Sequence, residues 1–168
     1  MAIKLDGAFE VMRSPEKVYE FLVDPNKFAP LLPEFRGMSM QDANHFTVKV
    51  NVGVSHIKGI AEVKMELAQV EHPKRAQYKG QGTVAGGNVT FTADFDLSRV
   101  NGGGTKVAWQ GEAQVFGRLA SIAGGLLEPL GRKNVQKLID GLQAALTQGE
   151  ALGQQDAAQS SRGKIETN

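Results

Sequence analysis

Two short helices are predicted near the start of this chain, in the segment SPEKVYEFLVDPNKFAPLLP at residues 14–33. Ser14 is a good N-cap, and Pro15 suits the first helical position because its φ is already helical and its missing N–H is not needed there. Asp24 and Pro25 repeat this start signal, and a Leu-Leu-Pro sequence ends the second helix. Because one strand pattern precedes this segment and several follow it, the order predicts a curved sheet that grips a separate long helix.

Alternating apolar and polar residues predict about seven antiparallel strands. The clearest alternation is at residues 46–54, where Phe46 and four valines alternate with polar or small residues. The sequence Asn-Gly-Gly-Gly at residues 101–104 is a strong turn signal between the last two strands. The predicted strands are 3–11, 38–42, 46–54, 57–67, 76–83, 89–97 and 105–115.

A long helix is predicted to close the domain, because the apolar period changes to three and four residues after Gly117. Pro129 falls inside this helix and cannot donate a backbone hydrogen bond, which predicts a kink near Leu126. Beyond residue 148 the polar composition has no usable apolar period. We therefore expect one α+β domain over residues 1–148, with a curved sheet around the long helix, and a polar, flexible tail over residues 149–168.

The composition excludes several classes of function. The 19 basic and 18 acidic residues give a net charge of +1 without a basic cluster, which argues against nucleic acid as a partner. The chain contains no cysteine, so it has no disulfide, thiolate metal site or cysteine nucleophile, and a reducing compartment is the simpler expectation. No signal sequence or membrane span is evident, so we expect a cytoplasmic protein whose membrane contact, at the inner face, would be peripheral.

No catalytic or metal site is predicted from the polar residues. His45, His56 and His72 have no carboxylate at metal-ligand spacing, and no acid is indicated to orient a Ser-His pair. The glycines at 102–104 join two strands and those at 124–125 lie within a helix, so neither set is typical of a phosphate-binding loop.

The order of elements resembles the helix-grip fold of the START and birch-pollen-allergen (SRPBCC) superfamily. Within it, GAFEVMRSPEKVYEFLVDP at residues 7–25 and LLP at 31–33 resemble the G-subunit family of carbon monoxide dehydrogenase. The triple-glycine turn at 102–104 and the sequence GRLAS at 117–121 add to this resemblance, which covers residues 2–146.

The resemblance implies a small noncatalytic accessory protein that acts beside a molybdenum-containing carbon monoxide dehydrogenase or a related hydroxylase. Such a protein is expected to carry a lipophilic molecule, with an isoprenoid quinone as the leading candidate, or to link the enzyme to the membrane. No resident cofactor is implied. One position departs from the family pattern, since Glu34 follows Pro33 where relatives usually have glycine.

Small residues on the inward faces of the strands predict an apolar cavity between the sheet and the long helix. The rival interpretation is that glycines permit strong sheet curvature and bulges, and that side chains of the helix fill the space. Phe28, Leu31 and Leu32 are predicted at the mouth of the cavity, and Tyr78 and Trp109 each offer a donor for a head group. The other predicted lining residues are Val48, Val50, Gly59, Val63, Met65, Phe91, Phe95, Gly111, Leu119, Ile122 and Leu126.

Two other functions remain open at this point. A polyketide cyclase or aromatase would use the same fold, but it should place an acid, a base or an arginine in the cavity. A docking or membrane-recruitment protein would need no ligand. Basic residues on the polar side of the long helix fit either a solvated face or contact with acidic lipid or an acidic partner, namely Arg118, Arg132, Lys133 and Lys137.

Overall fold

A seven-stranded antiparallel sheet and one long helix make up most of the fold. The computed structural model describes residues 1–54, 57–84 and 86–166. Side chains are described throughout these ranges except at residues 122, 123 and 148–166. The strands are β1 (Ala2–Val11), β2 (Phe35–Met40), β3 (His45–Val54), β4 (Ile57–Glu71), β5 (Arg75–Val84), β6 (Gly87–Arg99) and β7 (Thr105–Gly117). The helices are α1 (Pro15–Leu22), α2 (Pro25–Phe28) and α3 (Arg118–Glu166), and a 3₁₀ turn (Ala29–Leu31) follows α2.

The strand order is β1-β7-β6-β5-β4-β3-β2, so β1 pairs with the last strand and the others form a meander. This arrangement confirms the predicted helix-grip fold, with the short helices directly after the first strand. Ser14 caps α1 as predicted, since its Oγ accepts a hydrogen bond from the N–H of Lys17 at 3.3 Å.

Two predicted element boundaries were wrong for identifiable reasons. The second helix was expected to extend to Leu32, but it tightens into the 3₁₀ turn because Pro30 has no N–H to donate one turn back. The second strand was expected to end at Asp42, but it ends at Met40. The Asp42 carboxylate instead accepts the N–H groups of Asn44 and His45 at 2.8 Å, which forms a turn.

The apolar core has two parts along α3. The first lies beneath α1 and α2, where Phe46 and Tyr78 of the sheet meet Leu142 and Leu146 of α3. The second lies at the other end of the sheet, where Val54, Ile57, Ala61, Val84 and Val115 meet Leu119 and Leu127. One helix therefore closes both ends of the concave face.

Helical backbone continues past residue 148, the predicted boundary between domain and tail, to Glu166. The boundary and the flexible tail stay predictions. Pro129 lies inside α3 as expected, and the kink near Leu126 likewise stays a prediction. None of the helices in the described part of the chain carries an apolar stretch sufficient to span a bilayer.

Glu34 has a left-handed backbone, with φ of 61°, immediately before β2. A residue with a Cβ is strained in this conformation, whereas glycine adopts it without strain. The Glu34 carbonyl accepts the N–H of Asn51 at 2.9 Å and so ties this residue to β3.

We expect Glu34→Gly to raise the free energy of unfolding by about 0.5–1 kcal/mol, because it removes the Cβ strain at this φ. Urea denaturation of the purified variant measures the change. Glu34→Ala is the control, since it removes the charge but keeps the Cβ. An equal gain in the alanine variant would contradict the backbone explanation.

Candidate ligand-binding site

An apolar cavity of about 190 Å³ lies between the concave face of the sheet and α3, beside the second part of the core. Its only polar lining residue among those described is Thr83. Strands β3 to β6 and the helix thus contribute to a space that favours hydrocarbon over charged groups. The lining residues are Val52, Val54, Ala61, Val63, Gly82, Thr83, Val84, Val89, Phe91, Leu119, Leu127 and Leu130.

An open groove of about 650 Å³ adjoins this cavity, between the β3–β4 hairpin end and α3. Val52 and Leu130 line both spaces, so the groove and the cavity are neighbours. Its lining is amphipathic: Pro33, Glu34, Val50, Asn51, Val52, Gly53, Lys58, Gly59, Ile60, Leu130, Lys133, Asn134 and Lys137.

A second groove, of about 800 Å³, lies on the other side of α3 against β1. Met1, Ile3, Gly125 and Arg132 are among its lining residues, and it shares none of its lining with the apolar cavity. Because it has no connection to the cavity through a common residue, it does not extend the candidate site.

The structure brings five of the predicted site residues to the cavity or the groove. Val63, Phe91 and Leu119 line the cavity, and Val50 and Gly59 line the groove. Most of the others pack in the first part of the core, where Val48 and Met65 are buried and Phe95 is partly buried.

The three residues predicted at the mouth of the cavity lie in the first part of the core. Phe28 is buried, with its ring centroid 4.9 Å from that of Tyr78 and 6.4 Å from that of Phe46. Leu31 and Leu32 pack against the same cluster, away from the apolar cavity. These three side chains therefore stabilise the attachment of α2 and the 3₁₀ turn, and none of them lines the apolar cavity.

Neither predicted head-group donor faces the cavity. The Tyr78 hydroxyl donates to the carbonyl of Leu22 at 2.6 Å, and burial raises the pKa of this tyrosine, so it serves the end of α1. The Trp109 indole covers Gly7, where an added Cβ would lie 3.0 Å from Nε1. That buried Nε1 has no hydrogen-bond partner among the described residues.

One predicted helix position differs from the prediction, and a second is not described. Leu126 is 54% exposed, because it lies on the solvent side of α3 while Leu127 faces the sheet. The side chain of Ile122 lies outside the described residues. Gly111 lies on β7, outside the residues that line the cavity, and a Cβ there would meet only the Thr92 carbonyl, at 4.0 Å.

Two inward glycines make room for side chains of neighbouring strands, whereas the rival interpretation had assigned this space to side chains of the helix. A Cβ at Gly80 would overlap the Phe91 ring, and a Cβ at Gly82 would lie 3.1 Å from Val63 Cγ2. Gly59 differs, since its nearest neighbour would be Val84 Cγ2 at 4.0 Å. The space left open at the junction of groove and cavity is therefore at Gly59.

Several groove residues were not predicted as site residues. Asn51 and Lys58 follow the polar phase of their strands, and Lys133 and Lys137 were interpreted only as the polar side of a helix. No sequence signal distinguishes them from solvated residues, because the groove depends on how the hairpin end lies against α3.

No metal site is found within the described ranges, where His, Asp and Glu do not gather in groups of three. His45 Nδ1 lies 2.9 Å from Asp42 Oδ1, and this exposed pair raises the pKa of the histidine through the side-chain hydrogen bond. His72 contacts the ring of Tyr19 edge-on, with centroids 4.9 Å apart. His56 lies outside the described residues.

We expect Gly80→Ala to lower the free energy of unfolding by about 1–3 kcal/mol, because the Phe91 ring must move from its packed position. Gly59→Ala is the matched strand control and should change stability by less than about 0.5 kcal/mol, since its Cβ has room. Thermal and urea denaturation measure both. Equal losses in the two variants would contradict the assignment of open space to Gly59.

Solved structures with the same fold are similar to this chain. A conserved protein from Geobacillus kaustophilus has 18% identity and a TM-score of 0.78, over 87% of this chain and 96% of that chain. A START superfamily protein from Mycobacterium smegmatis has 12% identity and a TM-score of 0.66, over 86% and 97%. The Zhui aromatase/cyclase from Streptomyces sp. R1128 has 15% identity and a TM-score of 0.61, over 94% and 98%.

At these identities the structures support the fold and not a particular activity. No curated protein matches the chain by sequence. Residues 7–147 match the family of CoxG, the G subunit of carbon monoxide dehydrogenase. This match covers most of the chain, from within β1 to the first part of α3. The chain therefore belongs to the CoxG family, the G subunits of carbon monoxide dehydrogenase.

Proposed function

We propose that this protein is a noncatalytic accessory protein that binds a lipophilic ligand and acts beside a carbon monoxide dehydrogenase or a related molybdenum hydroxylase. Family membership supports the partner, and the apolar cavity supports the ligand class. The observation that carries the ligand assignment is the continuity of an apolar cavity with an amphipathic groove through Val52 and Leu130.

The size of the cavity favours partial enclosure of a ligand. Its volume of about 190 Å³ is below the roughly 300–1,000 Å³ of typical ligand pockets. An apolar chain inserted between Phe91 and Leu119 would be surrounded by hydrocarbon, while a polar group there would lose its water without gaining partners. The polar end of the ligand therefore belongs in the groove.

An isoprenoid quinone is the proposed ligand, because it combines an apolar chain with a compact ring that carries two carbonyl oxygens. Such molecules reside in membranes, so the protein would act in the cytoplasm at the inner membrane face and contact the bilayer peripherally. The cavity needs no resident cofactor for this role.

The cavity lining favours binding over catalysis. Among the described residues that line the cavity none is ionisable, and the ionisable residues of the groove, Glu34, Lys58, Lys133 and Lys137, are exposed to solvent. A cyclase needs a positioned acid or base near its substrate. The similarity to an aromatase/cyclase concerns the fold and leaves this chemical difference unchanged. A docking role without any ligand is the remaining alternative, and binding measurements distinguish the two.

We expect Gly59→Leu to abolish binding of a polyprenyl benzoquinone, because the leucine would extend toward Val84 and fill the junction of groove and cavity. Titration monitored by fluorescence of Trp109, the single tryptophan, measures the affinity. Gly37→Leu is the matched control, since a Cβ there meets nothing within 4 Å and Gly37 lines neither space.

Circular dichroism and thermal denaturation establish that both leucine variants fold. Unaltered quinone affinity in folded Gly59→Leu protein would contradict the cavity assignment. Binding of the quinone to neither the wild type nor the Gly37→Leu variant would favour the docking role.

A further inference from the structure

We propose that the groove beside the cavity is a head-group subsite in which Lys58, Lys133 and Lys137 donate hydrogen bonds to acceptor oxygens of the ligand. This inference rests on the proposed ligand-binding function and adds the chemistry that the ligand's polar end must have. The subsite takes a carbonyl or carboxylate oxygen at the end of an apolar chain.

Lysines come from both walls of the groove. Lys58 lies on β4, and Lys133 and Lys137 lie one helical turn apart on α3. None of the three forms an ion pair with a carboxylate in the described part of the chain. Glu34 is the one acidic residue among the described groove residues, so the groove has a local excess of positive charge.

The donors determine which head groups fit. A lysine ammonium has three N–H donors and no acceptor, so it pairs with oxygen lone pairs and not with donor groups. Hydrogen bonds from a charged donor are roughly twice as strong as neutral ones. Asn51 and Asn134 add amide groups that donate as well as accept. Quinone carbonyls and fatty-acid carboxylates share the required chemistry.

The shape of the groove favours an amphiphile over an acidic peptide. Val52 and Leu130 line both the groove and the cavity. Gly59, which has no side chain, leaves space between the two. Ile60 is 53% exposed and adds apolar surface beside the lysines. A peptide carboxylate would use the lysines alone, whereas a ligand with a polar head and an apolar chain uses both features.

The test compares three probes that carry different head groups on an alkyl chain of nine or ten carbons: decylbenzoquinone, decanoate and decylbenzene. The variant Lys58→Met/Lys133→Met/Lys137→Met removes the donors and keeps the aliphatic stems. We expect its affinity for decylbenzoquinone or decanoate to fall about tenfold or more, with decylbenzene unchanged. Lys64→Met, on β4 outside both spaces, is the matched control and should bind as the wild type does.

Each outcome decides between the proposals. A selective loss for the quinone or for decanoate supports the subsite and identifies which oxygen chemistry it takes. Unchanged affinity for both, or an equal loss for decylbenzene, would overturn the subsite while leaving the cavity function intact. If the wild type binds none of the three probes, both proposals fail. Retained probe affinity with lost binding to the partner enzyme would assign the lysines to protein docking instead.

Discussion

The packing of α3 against the concave face of the sheet is the contact on which the rest of the structure depends. Leu119 and Leu127 close one end of this face, and Leu142 and Leu146 close the other. The sheet has no other helix of comparable length to cover its inner face, in the ranges that the structure describes. Without α3, the apolar side chains on the inner face of the sheet would contact water.

The side chains between α3 and the sheet are larger at one end of the sheet than at the other, and this difference in size leaves the cavity. At one end the large rings of Phe28, Phe46 and Tyr78 interlock beneath α1 and α2. At the other end the sheet contributes mostly valine and alanine, which do not reach far enough to fill the space below α3. The short helices thus stabilise the closed end, and the β3–β4 hairpin end leaves the other end open.

The sequence was sufficient for the fold because its signals are local. Ser14 and Pro15 specify a helix start, and the alternation at residues 46–54 specifies a strand and its inner face. The site was harder to predict, because the sequence does not distinguish a strand glycine that is covered by an aromatic ring from one that has open space beside it. Gly80 lies under Phe91 while Gly59 stays open, and only the pairing of neighbouring strands distinguishes them.

The residues predicted at the mouth of the cavity show a related difficulty. Apolar residues after the first strand, such as Phe28, have the composition of a ligand portal, but here they are part of the packed core. The groove is lined by both apolar and polar residues, which come from β3, β4, α3 and the segment before β2. Their sequence separation leaves no local pattern to recognise.

We propose that an apolar ligand with a polar end occupies the cavity and the groove. The most direct test of this proposal is organic extraction and mass spectrometry of the folded protein purified from its native host. The account predicts an isoprenoid quinone, or another amphiphile with an acceptor oxygen at its head, in near-stoichiometric amount. A clean extract from intact protein that also fails to take up added quinone would contradict it.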